Sequence, residues 1–304
     1  MTDDIAFDRK FDVPAGRVDR VTPRVRRIVA PNPSPFTFTG TCSYIIGEGR
    51  VAILDPGPDD PAHVAALLDA VRGEEVTHIV VTHTHRDHSP AAAAVKAATG
   101  APTVAEGPHR AARPLAIGEV NPLDASADTD FRPDIRMADG ETLAGDGWTL
   151  SAIATPGHTA NHFAFALAED GLIFSGDHVM AWATSIVAPP DGSMGDYIHS
   201  LERLAARPET VYLPGHGGPV RDAPAFVADY LAHRLAREAA ILRALDREVE
   251  TVPDLVRGIY IGLDPRLVGA ASLTVLAHLE HLVASGRVVT DGAAAISGRF
   301  RPAA

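Results

Sequence analysis

The run Thr82-His83-Thr84-His85-Arg86-Asp87-His88 puts three histidines and one aspartate into six consecutive residues, directly after the apolar stretch Ile79-Val80-Val81. Imidazole nitrogen and carboxylate oxygen are the donors that borderline divalent metals such as zinc select. His83 and His85 stand two residues apart at the end of an extended segment, where side chains two apart share a face. Asp87 and His88 fall just beyond, on a turn that can serve a second metal. The pattern points to a binuclear centre, and it requires a fold that brings further donors to this loop.

Composition sets the frame for that fold. A chain of 304 residues forms one large domain or two smaller ones, and a hydrophobic fraction of 46% is enough to bury a full core. The net charge of −12 disfavours a general polyanion binder, though not a local basic groove. Cys42 is the only cysteine, so no intrachain disulfide forms and nothing demands an oxidising compartment. The start, Met1-Thr2-Asp3-Asp4-Ile5, is acidic and lacks the apolar core of a signal peptide. No run is read as approaching the roughly 20 apolar residues of a membrane span. The expectation is a cytoplasmic protein with no membrane association.

Residues 40–220 alternate short β-like runs with helical ones, as α/β domains do. Strands are expected at Cys42–Ile46 and Val51–Leu54, with a Gly-Glu-Gly turn between them. Further strands are expected at 76–82, 148–154, 163–167, 172–175 and 211–213. Helices are expected at 62–71, 91–99 and 196–207. Ser89 reads as the N-cap of the second helix and Asp196 as the cap of the third. The histidine run therefore lies on a strand-to-helix loop, at the carboxyl end of a strand, where open α/β sheets bind ligands. Residues 107–140, with Pro108, Pro114, Pro122 and Pro133, read as a long surface loop of the kind that shapes substrate pockets. After Pro224 the composition shifts. A long helix is expected at 225–248, a short one near 253–260, and one from Pro265 to Ser285 capped by Asp264 and stopped by Gly286. A hairpin of 287–290 with 293–297 follows. Helices followed by a hairpin form a winged-helix-like unit, which divides the chain into 1–222 and 223–304.

Three more loops carry donors beside glycines: Thr155-Pro156-Gly157-His158-Thr159, Phe174-Ser175-Gly176-Asp177-His178 and Pro214-Gly215-His216-Gly217. Each follows an expected strand, and glycine lets the backbone turn sharply there. Together the four loops offer enough imidazole and carboxylate for two metals with positions left for water and substrate. The order His-x-His-x-Asp-His, then His, Asp and His, resembles the metallo-β-lactamase superfamily. Within it, the form Thr-Pro-Gly-His-Thr-x-x-His at 155–162, the segment Ala188-Pro189-Pro190 with Asp196-Tyr197 and Ser200-Leu201, and the tail with Val275-Leu276-Ala277-His278-Leu279 look like the lactamase-β-like group related to glyoxalase II. The match spans 40–290. The resemblance implies an α/β fold, the αββα sandwich of that superfamily, followed by a small, mainly helical winged-helix-like domain. It also implies that His83, His85 and His158 hold one metal, that Asp87, His88 and His216 hold a second, and that Asp177 bridges them. Thr84, where an acidic residue would mark the di-iron flavoprotein branch, leans away from redox chemistry.

Two divalent cations ~3.5–4 Å apart lower the pKa of a bridging water toward ~7, giving a hydroxide that attacks a carbonyl carbon or a phosphorus. The expected cofactors are therefore two divalent ions. Zinc is the default for nitrogen and oxygen donors, and iron or manganese can take similar sites. Asp87 and Asp177 are the expected catalytic carboxylates, with Asp87 a proton carrier if one metal alone is bound. The first expectation is a hydrolase of a thioester or ester, like glyoxalase II, with a small-molecule acyl substrate. The alternatives are a metal-dependent endoribonuclease and a β-lactamase, with a non-enzymatic interaction module last. RNA is disfavoured by charge, because residues 222–304 carry nine arginines against ten acidic residues. Oligomeric state stays open, a homodimer being the commonest arrangement.

Other histidines have blander readings. His63, His109, His199 and His233 read as surface or satisfied core residues, and His78 as structural. His162 and His178 adjoin donors and either orient them by hydrogen bond or simply pack. Cys42 reads as a buried thiol. Tyr44 and Trp182 read as core before pocket wall, and Ala188-Pro189-Pro190 as a rigid loop.

Overall fold

Strands buried on both faces build two sheets that face each other. The computed structural model describes residues 5–116, 119–121 and 123–303. The N-terminal reading of residues 1–4 and Pro122 of the long loop lie outside the described residues. The first sheet holds seven strands in chain order: β1 (Val18–Arg20), β2 (Val25–Val29), β3 (Cys42–Ile46), β4 (Arg50–Leu54), β5 (Glu75–Val80), β6 (Thr103–Ala105) and β7 (Ile135–Arg136). It is antiparallel from β1 to β4 and parallel from β4 to β7. The second sheet holds β8 (Thr142–Gly145), β9 (Trp148–Ala154), β10 (Phe163–Leu167), β11 (Leu172–Gly176), β12 (Val211–Pro214) and β13 (Val220–Arg221), ordered β13-β12-β11-β10-β9-β8.

The period of two decides which side chains meet. Cys42, Tyr44 and Ile46 of β3 and Phe163, Phe165 and Leu167 of β10 point into the space between the sheets, with Trp148, Leu150 and Phe174. Ile45, Ile53 and Ile79 point the other way, under α1 (Pro61–Ala70) and α2 (Ala91–Thr99). Ala164, Ala166, Ile173 and Tyr212 point out from the second sheet under α3 (Met194–Ala205) and the first half of α4 (Ala223–Leu245). Helices thus cover both outer faces, giving the αββα sandwich. A separate core follows. Ile241 and Leu245 at the end of α4 pack with α5 (Val252–Ile259), α6 (Val268–Ala284) and the pair β14 (Val288–Thr290) with β15 (Phe300–Pro302). α4 therefore contributes to the sandwich at its start and to the C-terminal helical domain at its end.

Several local expectations change. Ser89 does not cap α2; its hydroxyl donates to the Asp128 carboxylate at 2.6 Å, because the long loop lies against it. Ser193, not Asp196, caps α3, accepting from the Asp196 N–H. The long loop is not wholly on the surface: Ala127 pairs with His85, and Asn121, Ala127 and Phe131 are buried. The partner of β14 is β15, not 293–297. The last helix begins as a 3₁₀ turn at Pro265–Leu267, and Val268 is exposed. Pro265–Ala284 is long and apolar enough to cross a membrane by length and composition, contrary to the sequence reading. Its Val275, Leu279 and Leu282 are spent on the core of the C-terminal domain.

Candidate metal centre

Four loops leave the carboxyl ends of β5, β9, β11 and β12 at one edge of the sandwich. They bring together all seven side chains of the His-x-His-x-Asp-His set and its three later partners. Three groups have their donor atoms within 4.8 Å of one another: His83, His85 and His158; His83, His88 and Asp177; and Asp87, His88 and His216. His83 Nε2 and His158 Nε2 lie 3.1 and 3.0 Å from His85 Nδ1. Asp177 stands between the groups, with Oδ2 3.8 Å from His158 Nε2 and 3.2 Å from His216 Nε2. His216 Nε2 is also 3.1 Å from Asp87 Oδ2, and His88 Nε2 is 3.3 Å from that oxygen and 3.5 Å from Asp177 Oδ1. At Gly215 any Cβ would strike the Asp177 carboxylate and the His88 ring, so only glycine lets that loop pass.

The outward nitrogens fix which atom of each ring faces inward. The Ile186 carbonyl, 2.6 Å from His158 Nδ1, can only accept, so His158 Nδ1 carries the proton and Nε2 offers a lone pair. The same holds for His88, whose Nδ1 is 2.9 Å from Asp55 Oδ2, and for His216, whose Nδ1 faces the Gly40 carbonyl at 3.4 Å. Thr82 donates its hydroxyl proton to Asp55, so it accepts from His83 Nδ1, and His83 Nε2 is again a lone pair. The result is a cluster of inward acceptors. Asp177 Oδ1 and His88 Nε2 are buried without a hydrogen-bond partner among the described residues. Buried acceptors facing one another are costly unless something positive sits between them. This donor set fits a divalent metal.

The protonation pattern shows the same tension. Burial holds His83, His85 and His158 below the usual imidazole range, His85 at about 3, so these rings stay neutral. Burial also opposes charge on His216, but Asp177 and Asp87 overcome it and lift that ring to about 9, so its inward Nε2 draws a proton wherever no cation takes that lone pair. For Asp87 and Asp177 burial raises the carboxyl, and the neighbouring His88 and His216 win and hold both well below the ordinary range.

The flanking histidines differ. His162 accepts the Asp177 N–H at Nε2 (3.2 Å) and bonds Thr155 at 2.8 Å. The His178 ring makes no hydrogen bond among the described residues and packs on Tyr197, while its carbonyl accepts from the Tyr197 and Ser185 hydroxyls. Sequence reasoning missed Asp55, which accepts from the Thr82 N–H (2.7 Å), the Thr82 hydroxyl and His88. Its signal was the Asp-Pro-Gly at the end of β4, the same strand-end and glycine form as the other loops. Of the histidines given bland readings, His63 is buried and bonds Ser43 at 2.8 Å, and His199 is exposed on α3.

Residues 36–216 match the model of the metallo-beta-lactamase superfamily, and residues 251–297 match the beta-lactamase associated winged helix domain. The chain belongs to the metallo-beta-lactamase superfamily. Among its relatives is the beta-lactamase-like protein 2 homolog of Caenorhabditis elegans, 31% identical over 263 residues, which cover 80% of this chain and 78% of that one. An atrochrysone carboxyl ACP thioesterase of Aspergillus chevalieri is 32% identical over 237 residues, covering 76% of this chain and 69% of the relative. A metallo-beta-lactamase family protein of Thermus thermophilus superposes with a TM-score of 0.75 at 25% identity, over 93% of this chain and 100% of that one. Superfamily membership makes the chain a hydrolase and gives the histidine and aspartate cluster its meaning as a divalent-metal site.

Proposed function

We propose that this metallo-beta-lactamase superfamily hydrolase cleaves thioesters or closely related acyl esters, with zinc as its metal. The carrying observation is the convergence of inward lone pairs and carboxylates from four loops on one spot, with no serine or cysteine nucleophile in the cluster. Thioester chemistry is favoured by relatives named for it, the carboxyl ACP thioesterases. His83, His85 and His158 would hold one ion, and Asp87, His88 and His216 the second, with Asp177 shared. The chemistry supplied by cations held there is Lewis acidity, which acidifies water and polarises an acyl carbonyl.

The chain's own groups do the rest. Asp55, Thr82, Ile186 and Gly40 hold four imidazoles in the tautomer that faces inward. Asp87 has the most open carboxylate of the cluster, with 24% side-chain exposure, and its Oδ2 accepts from the Thr41 hydroxyl at 3.2 Å. With one ion alone bound, it is the group placed to take a proton from water and pass it to the leaving group. A cavity of about 560 Å³ lies between residues 112–116, the start of α3 and α6. None of the seven clustered residues lines it. One of its lining residues, Ser193, donates its N–H to the Gly157 carbonyl beside His158. Six alanines, Pro114, Met194 and Val283 give it a largely apolar wall, with Arg113, Glu280 and His281 beside them, which suits the remote part of a long acyl group.

The test is hydrolysis of acyl-CoA and acyl-glutathione thioesters by zinc-loaded protein, beside single-stranded RNA and a chromogenic cephalosporin. Thioester turnover is expected, and it should be abolished together with bound metal in His85→Ala and Asp177→Ala. Turnover confined to RNA or to the cephalosporin would overturn the thioester reading. Wild-type activity in either variant would overturn the site.

A further inference from the structure

Thr84 sits between His83 and His85 and is fully buried, and its hydroxyl turns away from the cluster. Its Oγ1 is 2.9 Å from Asn161 Nδ2 and 3.2 Å from His109 Nδ1. Asn161 uses its amide oxygen to accept from Thr159, so its amino group donates to Thr84. His109 Nδ1 takes the Thr84 hydroxyl proton and the ring proton sits on Nε2, because Nε2 faces a carboxylate, which only accepts. That nitrogen is 3.4 Å from Asp191 Oδ2. Asp191 is fully buried, its Oδ1 accepts from Asn121 at 2.8 Å, and its Oδ2 makes no hydrogen bond among the described residues, so the 3.4 Å approach to His109 is a charge contact. A buried carboxylate oxygen aimed at one imidazole N–H fixes that ring's tautomer and orientation.

Asp191 belongs to the segment 185–193, which also holds His158. Ile186 supplies the carbonyl at His158 Nδ1, and the Ser185 hydroxyl donates to the Asp177 carbonyl. Gly192 lies so close that a Cβ would come within 2.6 Å of the Gly157 carbonyl oxygen and 2.9 Å of that of His158. One segment thus touches His158 directly and reaches the His83–His85 peptide through His109 and Thr84. The group of Asp87, His88 and His216 is held by Thr41, Asp55 and Gly40, of which Asp55 also reaches His83 through Thr82, whereas Asp191 and His109 touch none of the three.

We propose that Asp191 and His109 are positioning residues for the three-histidine pocket: through Thr84 they lock the peptide carrying His83 and His85 to the segment that orients His158. The inference rests on the metal reading of the cluster. It predicts a selective effect, in which loss of the Asp191–His109 link weakens one metal position and spares the other.

The experiment is cobalt(II) and zinc titration of the full chain, read by visible absorption and by competition with a chromophoric chelator. His158→Ala and His216→Ala serve as references for the loss of each group. In Asp191→Asn, one ion should bind as in wild type and the other roughly 10–100-fold more weakly. Its cobalt spectrum should change in the direction of His158→Ala, not of His216→Ala. His109→Phe, which keeps the bulk and removes both the Thr84 hydrogen bond and the Asp191 contact, should do the same and is the second variant should Asp191→Asn not fold. Unchanged binding in a folded variant, or equal weakening of both ions, overturns the proposal. A wild-type chain that binds no cobalt or zinc overturns the metal reading itself, which is a different result from metal bound alike by wild type and variant.

Discussion

Asp55 turns two loops into one unit: its carboxylate accepts from the Thr82 N–H, the Thr82 hydroxyl and His88 Nδ1, all within 2.9 Å. It does so from a left-handed backbone, φ 49°, which asparagine also tolerates. Asp55→Asn should therefore keep the fold but place an N–H where His88 or Thr82 already donates. Metal affinity at the group containing His88 is expected to fall about 10–100-fold, measured by chelator competition, with circular dichroism unchanged. Asp55→Ala should also lose stability, because three buried donors are left at roughly 1–3 kcal/mol each. Chemically distinctive side chains are what the sequence makes legible here. His83, His85, Asp87, His88, His158, Asp177 and His216 stand out by type and by their glycine neighbours, and the structure brings them together. Asp55 precedes Pro56-Gly57, which is equally an ordinary turn. His109 and Asp191 acquire a role only through each other and Thr84, and no local pattern encodes a pairing between distant segments.

At the scale of elements, the strands flanking the central core were legible as short apolar runs bounded by turn residues. Trp148–Ala154 and Phe163–Leu167 fall as expected to the residue, and both bury large side chains between the sheets. Edge and linking strands were not: β1, β7 and β13 have two or three residues each, too few to show a period. β2 carries Arg26 and Arg27 inside a strand, and only the structure shows their acidic partners, Glu74 and Asp19. α6 was legible as a helix, but its second use was not. One face serves the C-terminal core, and Ala277, Glu280, His281, Val283 and Ala284 also wall the cavity. Arg113 clasps the loop 112–116 to this wall through Glu280 at 2.6 Å. Ala284 is exposed at the end of the helix, so a large side chain there fills the cavity without entering the core. For a thioesterase that uses this space, Ala284→Trp should raise KM for long acyl thioesters by roughly tenfold or more and leave KM for acetyl thioesters unchanged. Steady-state kinetics on an acyl-length series checks this, and equal effects at every length would remove the cavity from substrate binding.

Across the whole molecule, α4 joins the two cores, and its middle carries charge into their junction. Arg234 lies over the Tyr197 ring and donates to the Ser185 carbonyl, so the C-terminal half of the chain reaches the segment behind the metal cluster. One turn on, Glu238 faces His278 of α6 at 3.5 Å, with His281 and Arg287 sharing the same carboxylate. His278 is fully buried, and both its ring nitrogens lack a hydrogen bond among the described residues. Burial lowers its pKa from 6.5 to about 4, with Glu238 opposing the shift and Arg234 and Arg237 adding to it. A depressed folded-state value means that protonation favours the unfolded chain. The stability tied to neutral His278 is present in full above pH 6.5 and is lost as pH falls toward 4. His278→Leu removes the titration while keeping an apolar volume in the core. Comparing wild type and variant by urea unfolding at fixed metal concentration cancels the carboxylates and cluster histidines common to both. Between pH 7 and pH 4.5 the variant should gain on wild type by about 2–3 kcal/mol, the free-energy equivalent of a shift of this size over that window. A constant gap across the window would mean that His278 keeps its proton equilibrium on folding, and the junction of α4 and α6 would then be wetter than its burial implies.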